Sequence, residues 1–186
     1  NESYAKHLAE LGETSEALDA QAMREMTGSP HYQSGLYTPG TVMLQPAGFI
    51  RGMAQGLRRD RVEIYEQSPV QRITPHAGDW TCVTPKGKVT AARVILTVNG
   101  HLESFGVERG VLMQVFLFAT MTPELTKEQI KVLGGVPRWG VIPSDPMGTT
   151  VRRIDTGQGG NRIITRTCAA LRPGMAARAS DVTRAA

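Results

Sequence analysis

The residues best placed for ligand chemistry are Asn99 and Gly100, which end the run Val94-Ile95-Leu96-Thr97-Val98. A run this apolar reads as a strand covered on both faces, and in open α/β sheets ligands gather at the carboxyl ends of such strands. A glycine there lets the backbone approach a flat ligand closely. Asn-Gly is also a common turn dipeptide, so a plain strand-ending turn is the competing reading. A second group is Trp139 with Arg152 and Arg153. Trp139 either lines a pocket or packs. Neighbours on a strand point to opposite faces, so at most one of the two arginines looks into a pocket, and a solvated edge is the plainer alternative.

Other chemistries find less support. Gly157-Gln158-Gly159-Gly160 is the only glycine cluster that resembles a phosphate loop, but β-type residues follow it where such a loop needs a helix, so a hairpin turn is expected. His7, His31, His76 and His101 lie far apart without carboxylate or Cys companions at ligand spacing, so no metal site is expected. No Gly-x-Ser-x-Gly elbow offers a hydrolase nucleophile. Cys82 and Cys168 read as reduced structural residues.

These residues need elements to position them. Ala5, Leu8 and Leu11 predict a short helix stopped by Gly12, and Thr14-Ser15 a cap for a second helix through Ala17, Leu18, Ala22 and Met26, ended by Gly28-Ser29-Pro30. Residues 31–46 read as loop. Phe49, Ile50, Met53, Ala54 and Leu57 predict an amphipathic helix over 47–57. The period then changes to that of strands: Val62 to Tyr65, Trp80 to Thr84, Lys88 to Ala92 across a Pro85-Lys86-Gly87 turn, and Val94 to Val98. A long strand is expected over 111–121, then a helix over 124–133 capped by Thr122-Pro123 and ended by Gly134-Gly135. Strands over 139–143, 149–154 and 162–167 complete an antiparallel meander, and Ser180-Asp181 is placed to cap a last helix.

The 186 residues carry a net charge of +4, and 40% are hydrophobic, enough for a sizeable core. No apolar run reaches the roughly 18 residues a membrane helix needs, so a soluble, cytoplasmic protein without a membrane span is expected. Arg152, Arg153, Arg162, Arg166, Arg172, Arg178 and Arg184 crowd the last forty residues against Asp155 and Asp181. That permits an alternative function, a non-catalytic module that binds an acidic partner. Nucleic acid is not expected, because no aromatic residues interleave with the arginines.

The order of several segments resembles the FAD-dependent D-amino-acid oxidase and glycine oxidase superfamily. These are Leu44-Gln45-Pro46 before a helix ending Gly56-Leu57, Val62-Glu63-Ile64-Tyr65-Glu66, Ser68-Pro69-Val70, Thr84-Pro85-x-Gly87-x-Val89, and Val94 through His101. Met147 through Arg153, Arg162-Ile163 and Leu171-Arg172-Pro173-Gly174 look similar to the branch of gamma-glutamylputrescine oxidoreductases and D-amino-acid dehydrogenases. The resemblance implies FAD, with Val70 meeting its adenosine part through the backbone and Thr97, Val98, Asn99 and Gly100 lying beside the cofactor. Val98-Asn99 interrupts the family's Ala-Thr-Gly turn, and the strand at Trp139 lacks the Tyr that amino-acid oxidases present to substrate. The family's Gly-x-Gly-x-x-Gly turn would precede residue 1, and its carboxylate-binding Arg would follow residue 186.

The expectation is therefore an α+β fold, a mixed and mainly antiparallel sheet with helices on one face, plus remnants of a Rossmann-like FAD domain. Residues 1–61 and 107–186 are expected to build the substrate domain and 62–106 part of the FAD domain. The expected function is the central, substrate-binding portion of an enzyme that oxidises an amine or amino acid by hydride transfer to flavin, incomplete by itself. Trp139, Arg152 and Arg153 are its candidates for the substrate pocket.

Overall fold

The structure is a computed structural model that describes residues 1–58, 61–113, 115–145 and 147–171. Two units divide it, residues 1–45 with 116–170 and residues 46–115.

In the first unit, helix α1 (Glu2–Glu10) buries Leu8 and stops before Gly12, whose φ of +76° suits glycine. The second helix starts later than Thr14-Ser15 predicts. Glu16–Asp19 forms strand β1, paired antiparallel with β2 (Ser34–Tyr37), which lies in the segment expected to be loop. This pairing satisfies the backbone that a longer helix would have used, and a partner fifteen or so residues away leaves no trace in local periodicity. Helix α2 (Ala20–Thr27) begins at Asp19, whose carboxylate accepts from the Ala22 N–H at 2.9 Å, and ends at left-handed Gly28 as expected.

Strands β6 (Val115–Met121), β7 (Trp139–Val141), β8 (Thr150–Ile154) and β9 (Arg162–Leu171) form one sheet in the order β6-β9-β8-β7. The last three make the expected antiparallel meander. The β6 ladder is shorter than the expected 111–121, since residues 111–113 lie outside it. Helix α4 (Lys127–Leu133) is capped by Thr126 in a capping box with Gln129, not by Thr122. Thr122 is held by the sheet instead: its N–H donates to the Ile163 carbonyl at 3.0 Å and its hydroxyl accepts from the Ile163 N–H at 3.1 Å. The expected helix at Ser180-Asp181 lies outside the described residues.

The ends of α2 and α4 meet backbone to backbone. Val136 donates to the Met26 carbonyl at 2.8 Å. A methyl group at Gly28 would overlap the Leu133 carbonyl oxygen, and one at Gly135 would sit 2.6 Å from the Gly28 nitrogen. Both glycines have positive φ. Thr27, fully buried beside them, donates its hydroxyl to the Met23 carbonyl at 2.7 Å and accepts from the Ser29 N–H.

In the second unit, helix α3 (Pro46–Leu57) forms where the 3-4-3 spacing predicts, with Pro at its first position, yet it buries none of its residues. Strands β3 (Arg72–His76), β4 (Asp79–Thr84) and β5 (Gly87–Ala91) form an antiparallel meander. Ala77 and Gly78 both take positive φ in the two-residue β3–β4 turn, as the right-handed strand twist requires. Cys82 is free and half-buried on β4. Val62 to Tyr65 joins no ladder: Gln67 with φ of +52° and Pro69 turn the chain there, and Arg58 pairs with Glu66 at 3.1 Å. Val94 to Val98 is a further correction. It joins no ladder of the described residues; Val94, Leu96 and Val98 are half-buried, but Ile95 is 86% exposed. A strand is covered on both faces only where flanking strands and helices are present, and the described residues place no strand beside this one. Helices with antiparallel sheets match the expected α+β class.

Candidate functional site

The two arginines expected to diverge do so. Trp139 and Arg153 are direct partners across β7 and β8, so their side chains share one face, and they are 8% and 2% exposed. Arg153 Nη1 donates to the Gly134 carbonyl at the C-terminus of α4, where a cation also meets the negative end of the helix dipole. Trp139 Nε1 and Arg153 Nε are buried without an acceptor among the described residues. Arg153 therefore anchors α4 to the sheet on its helix-covered face.

Arg152 points to the other face. Its partner is Gly140, where an added Cβ would lie 3.6 Å from Arg152 Cγ and 3.7 Å from Met43 Sδ. The absent side chain leaves a shelf over which the Arg152 stem lies. Gln158 Nε2 fixes the Met43 segment by donating to its carbonyl at 2.7 Å, while Gln158 Oε1 is buried without a donor among the described residues. Arg166, opposite Thr150, stands on the same face as Arg152. On β6 that face carries Val115, Leu117 and Met121, all exposed. The period of two already placed 150, 152 and 166 on strands, but only the register aligns them, so Arg166, Gly140 and Met43 escaped the sequence. Of the seven late arginines, Arg172, Arg178 and Arg184 lie outside the described residues.

The cofactor candidates belong to the other unit. Val70, 37% exposed, precedes β3. Thr97 and Asn99 are exposed, and Val98 and Gly100 half-buried. Asn99 adopts φ of +50° and opens a 3-10 helix, Asn99–Phe105, in which His101 donates to the Val98 carbonyl at 3.1 Å. Asn tolerates this left-handed conformation better than most residues. Val94 to Thr97 thus lies outside any ladder of the described residues and leads into a sharp turn at Asn99.

Perturbed titrating groups lie away from these residues. The hydroxyl of Tyr65 is held above its ordinary range by its hydrogen bond to the Glu63 carboxylate and by that charge, and burial raises Tyr32. The Glu128 carboxyl is held below its ordinary range by the backbone N–H at the start of α4 and by the Thr126 hydroxyl. Among the described residues no helix is long and apolar enough to cross a membrane.

Residues 1–183 match the family model described as DAO, FAD dependent oxidoreductase. Among curated proteins, the chain is 28% identical over 109 residues to the "Probable oxidoreductase OrdL" of Haemophilus influenzae, covering 55% of this chain and 25% of that protein. The protein of the same name from Rhizobium meliloti is 26% identical over 85 residues, 46% of this chain and 20% of its own. Among solved structures, glycine oxidase from Geobacillus kaustophilus superposes with a TM-score of 0.70 at 15% identity, over 96% of this chain and 46% of the oxidase. NikD, an unusual amino acid oxidase essential for nikkomycin biosynthesis, gives 0.59 at 15% identity, over 93% and 46%. The chain thus spans about a quarter or less of the curated relatives' length and under half of the two solved structures.

Proposed function

This chain belongs to the DAO family of FAD dependent oxidoreductases, and from that premise we propose that the protein it represents oxidises an amine or amino acid. The match across residues 1–183 carries this reading. We further propose that residues 62–106 contribute to the FAD domain and that 1–61 and 107–186 contribute to the substrate domain, a central portion of the enzyme. FAD, when bound, supplies the two-electron acceptor for the hydride that leaves the amine-bearing carbon. The substrate nitrogen also gives up a proton, and water then hydrolyses the resulting imine to a carbonyl compound and ammonia, or an amine where the substrate nitrogen is secondary.

The share of this chain is holding and orientation. Val70 and the segment Thr97, Val98, Asn99 and Gly100 are the proposed cofactor contacts. The left-handed turn at Asn99, at the end of a segment outside any ladder of the described residues, supports that assignment. On the substrate side Trp139, Arg152 and Arg153 are the proposed pocket residues, and Arg153 also holds the carbonyl that ends α4.

The test uses the full-length protein reconstituted with FAD. Co-elution of flavin absorbance, and its bleaching under anaerobic conditions on addition of amines or amino acids, is the expected result. Stoichiometric flavin that no amine or amino acid reduces would refute the substrate class.

A further inference from the structure

Asn99 is exposed, and Gly100 follows it at the start of the 3-10 helix. The short side chain of asparagine reaches its own backbone, so its amide carbon can meet the main-chain nitrogen of the next residue. A Cβ on that next residue hinders the approach. Gly100 has none, and glycine leaves its backbone the widest freedom to turn. Asn161, which Arg162 follows, lacks this opening. The helix beyond Asn99 is of the 3-10 kind, whose hydrogen bonds hold less firmly than those of an α-helix. Asn99 also sits at φ of +50°, a sparsely populated conformation for an L-residue, so a change in the backbone there releases strain.

We propose that Asn99-Gly100 is a self-modifying site: in the flavin-free protein Asn99 converts to aspartate and isoaspartate, and bound flavin prevents it. The Gly100 nitrogen bonds to Asn99 Cγ and gives its proton to solvent, while the bond from Cγ to the side-chain nitrogen breaks and ammonia leaves. Water then adds to either carbonyl of the cyclic imide and reopens the ring. Nothing is oxidised or reduced. Opening at the main-chain carbonyl gives isoaspartate, which routes the backbone through the former side chain and frees residue 99 from its strained φ. Isoaspartate also carries a free α-carboxylate, so the partner its chemistry calls for is an enzyme that methylates isoaspartyl groups. The protection by flavin rests on the assignment of residues 97–100 as cofactor contacts. A ring held there excludes water and stops the side chain from turning.

The test incubates the full-length protein, flavin-loaded and stripped of flavin, at physiological pH and temperature, and follows it by peptide mapping with mass spectrometry. Cleavage at Arg93 and Arg109 releases residues 94–109, in which Asn99 is the sole asparagine. In the stripped protein that peptide should gain the mass difference between amide and acid and split into two chromatographic forms. It should also accept methyl groups from S-adenosylmethionine through an isoaspartyl methyltransferase. The loaded protein should convert at least ~10-fold more slowly, a barrier difference of ~1.4 kcal/mol. Asn99→Gln, whose longer side chain closes a ring far less readily, and Gly100→Val should both suppress the change. Circular dichroism checks that each variant is folded; should both fail, the wild type with and without flavin decides. Absence of conversion in the stripped protein, or conversion of Asn99 no faster than that of Asn161, overturns the proposal. So does equal conversion with and without bound flavin. None of these readouts needs turnover, so a failure of the amine-oxidising reading is seen separately.

Discussion

Trp139 and Arg153 face one another across β7 and β8, and each buries an N–H that no acceptor among the described residues meets. An unmet buried donor costs about 1–3 kcal/mol. Arg153 nonetheless stays, because its other nitrogen holds the carbonyl at the end of α4.

That division of labour gives the first prediction. Arg153→Ala should lower the stability of the protein by ~2–4 kcal/mol, combining a lost hydrogen bond with a cavity. Arg152→Ala should cost under ~1 kcal/mol, as expected for a partly exposed side chain without a partner. Urea unfolding of the two variants checks this, and equal losses would mean that the faces are misassigned.

A second prediction contrasts glycines. Gly12, Gly28 and Gly135 all have positive φ, but only the last two lie against another backbone. Gly12→Ala should therefore cost only about 1 kcal/mol of conformational strain. Gly28→Ala and Gly135→Ala should each cost more than ~3 kcal/mol, because peptide groups cannot retreat as a side chain can. Thermal melts of the three variants separate strain from overlap.

The start of α4 gives a third. Thr126→Ala removes the side-chain acceptor for the Gln129 N–H and should cost ~1 kcal/mol. It should also bring the Glu128 carboxyl back toward its ordinary value of 4.5, since the Thr126 hydroxyl helps to hold it lower. The folded state favours the ionised form, so the Glu128 contribution is complete above 4.5 and fades as pH falls through the lower folded value. Glu128→Gln should accordingly flatten the acid side of the stability curve, while an NMR titration of Glu128 in Thr126→Ala reads the shift directly.

Asn99 supplies the last. Its φ of +50° predicts that Asn99→Gly is tolerated and that Asn99→Val, with a β-branched side chain, costs roughly 1–2 kcal/mol. If the turn also meets the cofactor, Asn99→Val should lower flavin retention in the full-length protein while Asn99→Gly keeps it. Flavin-to-protein absorbance ratios measure this.

Local signals were legible in the sequence, and partners were not. The stops at Gly12, Gly28 and Gly134, helix α3 and the hairpin turns each depend on a few adjacent residues, and each formed where those residues indicated. Whether Glu16–Asp19 is helix or strand depends on Ser34–Tyr37, and whether Thr122 caps a helix depends on Ile163. The candidate site shows the same limit. Alternation separated Arg152 from Arg153, but only Gly134 and Gly140 decide which of them is buried. For Val94 to Val98, composition described the surroundings such a strand suits, and the described residues do not provide them.

The meeting of Gly28 with Gly135 also bears on how the protein is made. The end of α2 leaves the ribosome roughly a hundred residues before the loop it must lock against, an interval on the order of ten seconds at elongation rates of about 5–20 residues per second. For that time β1, α2 and β2 wait without their partner, and the whole of residues 46–115 is translated in between. Slowing translation after residue 45 should therefore lengthen the interval in which residues 1–45 lack that partner.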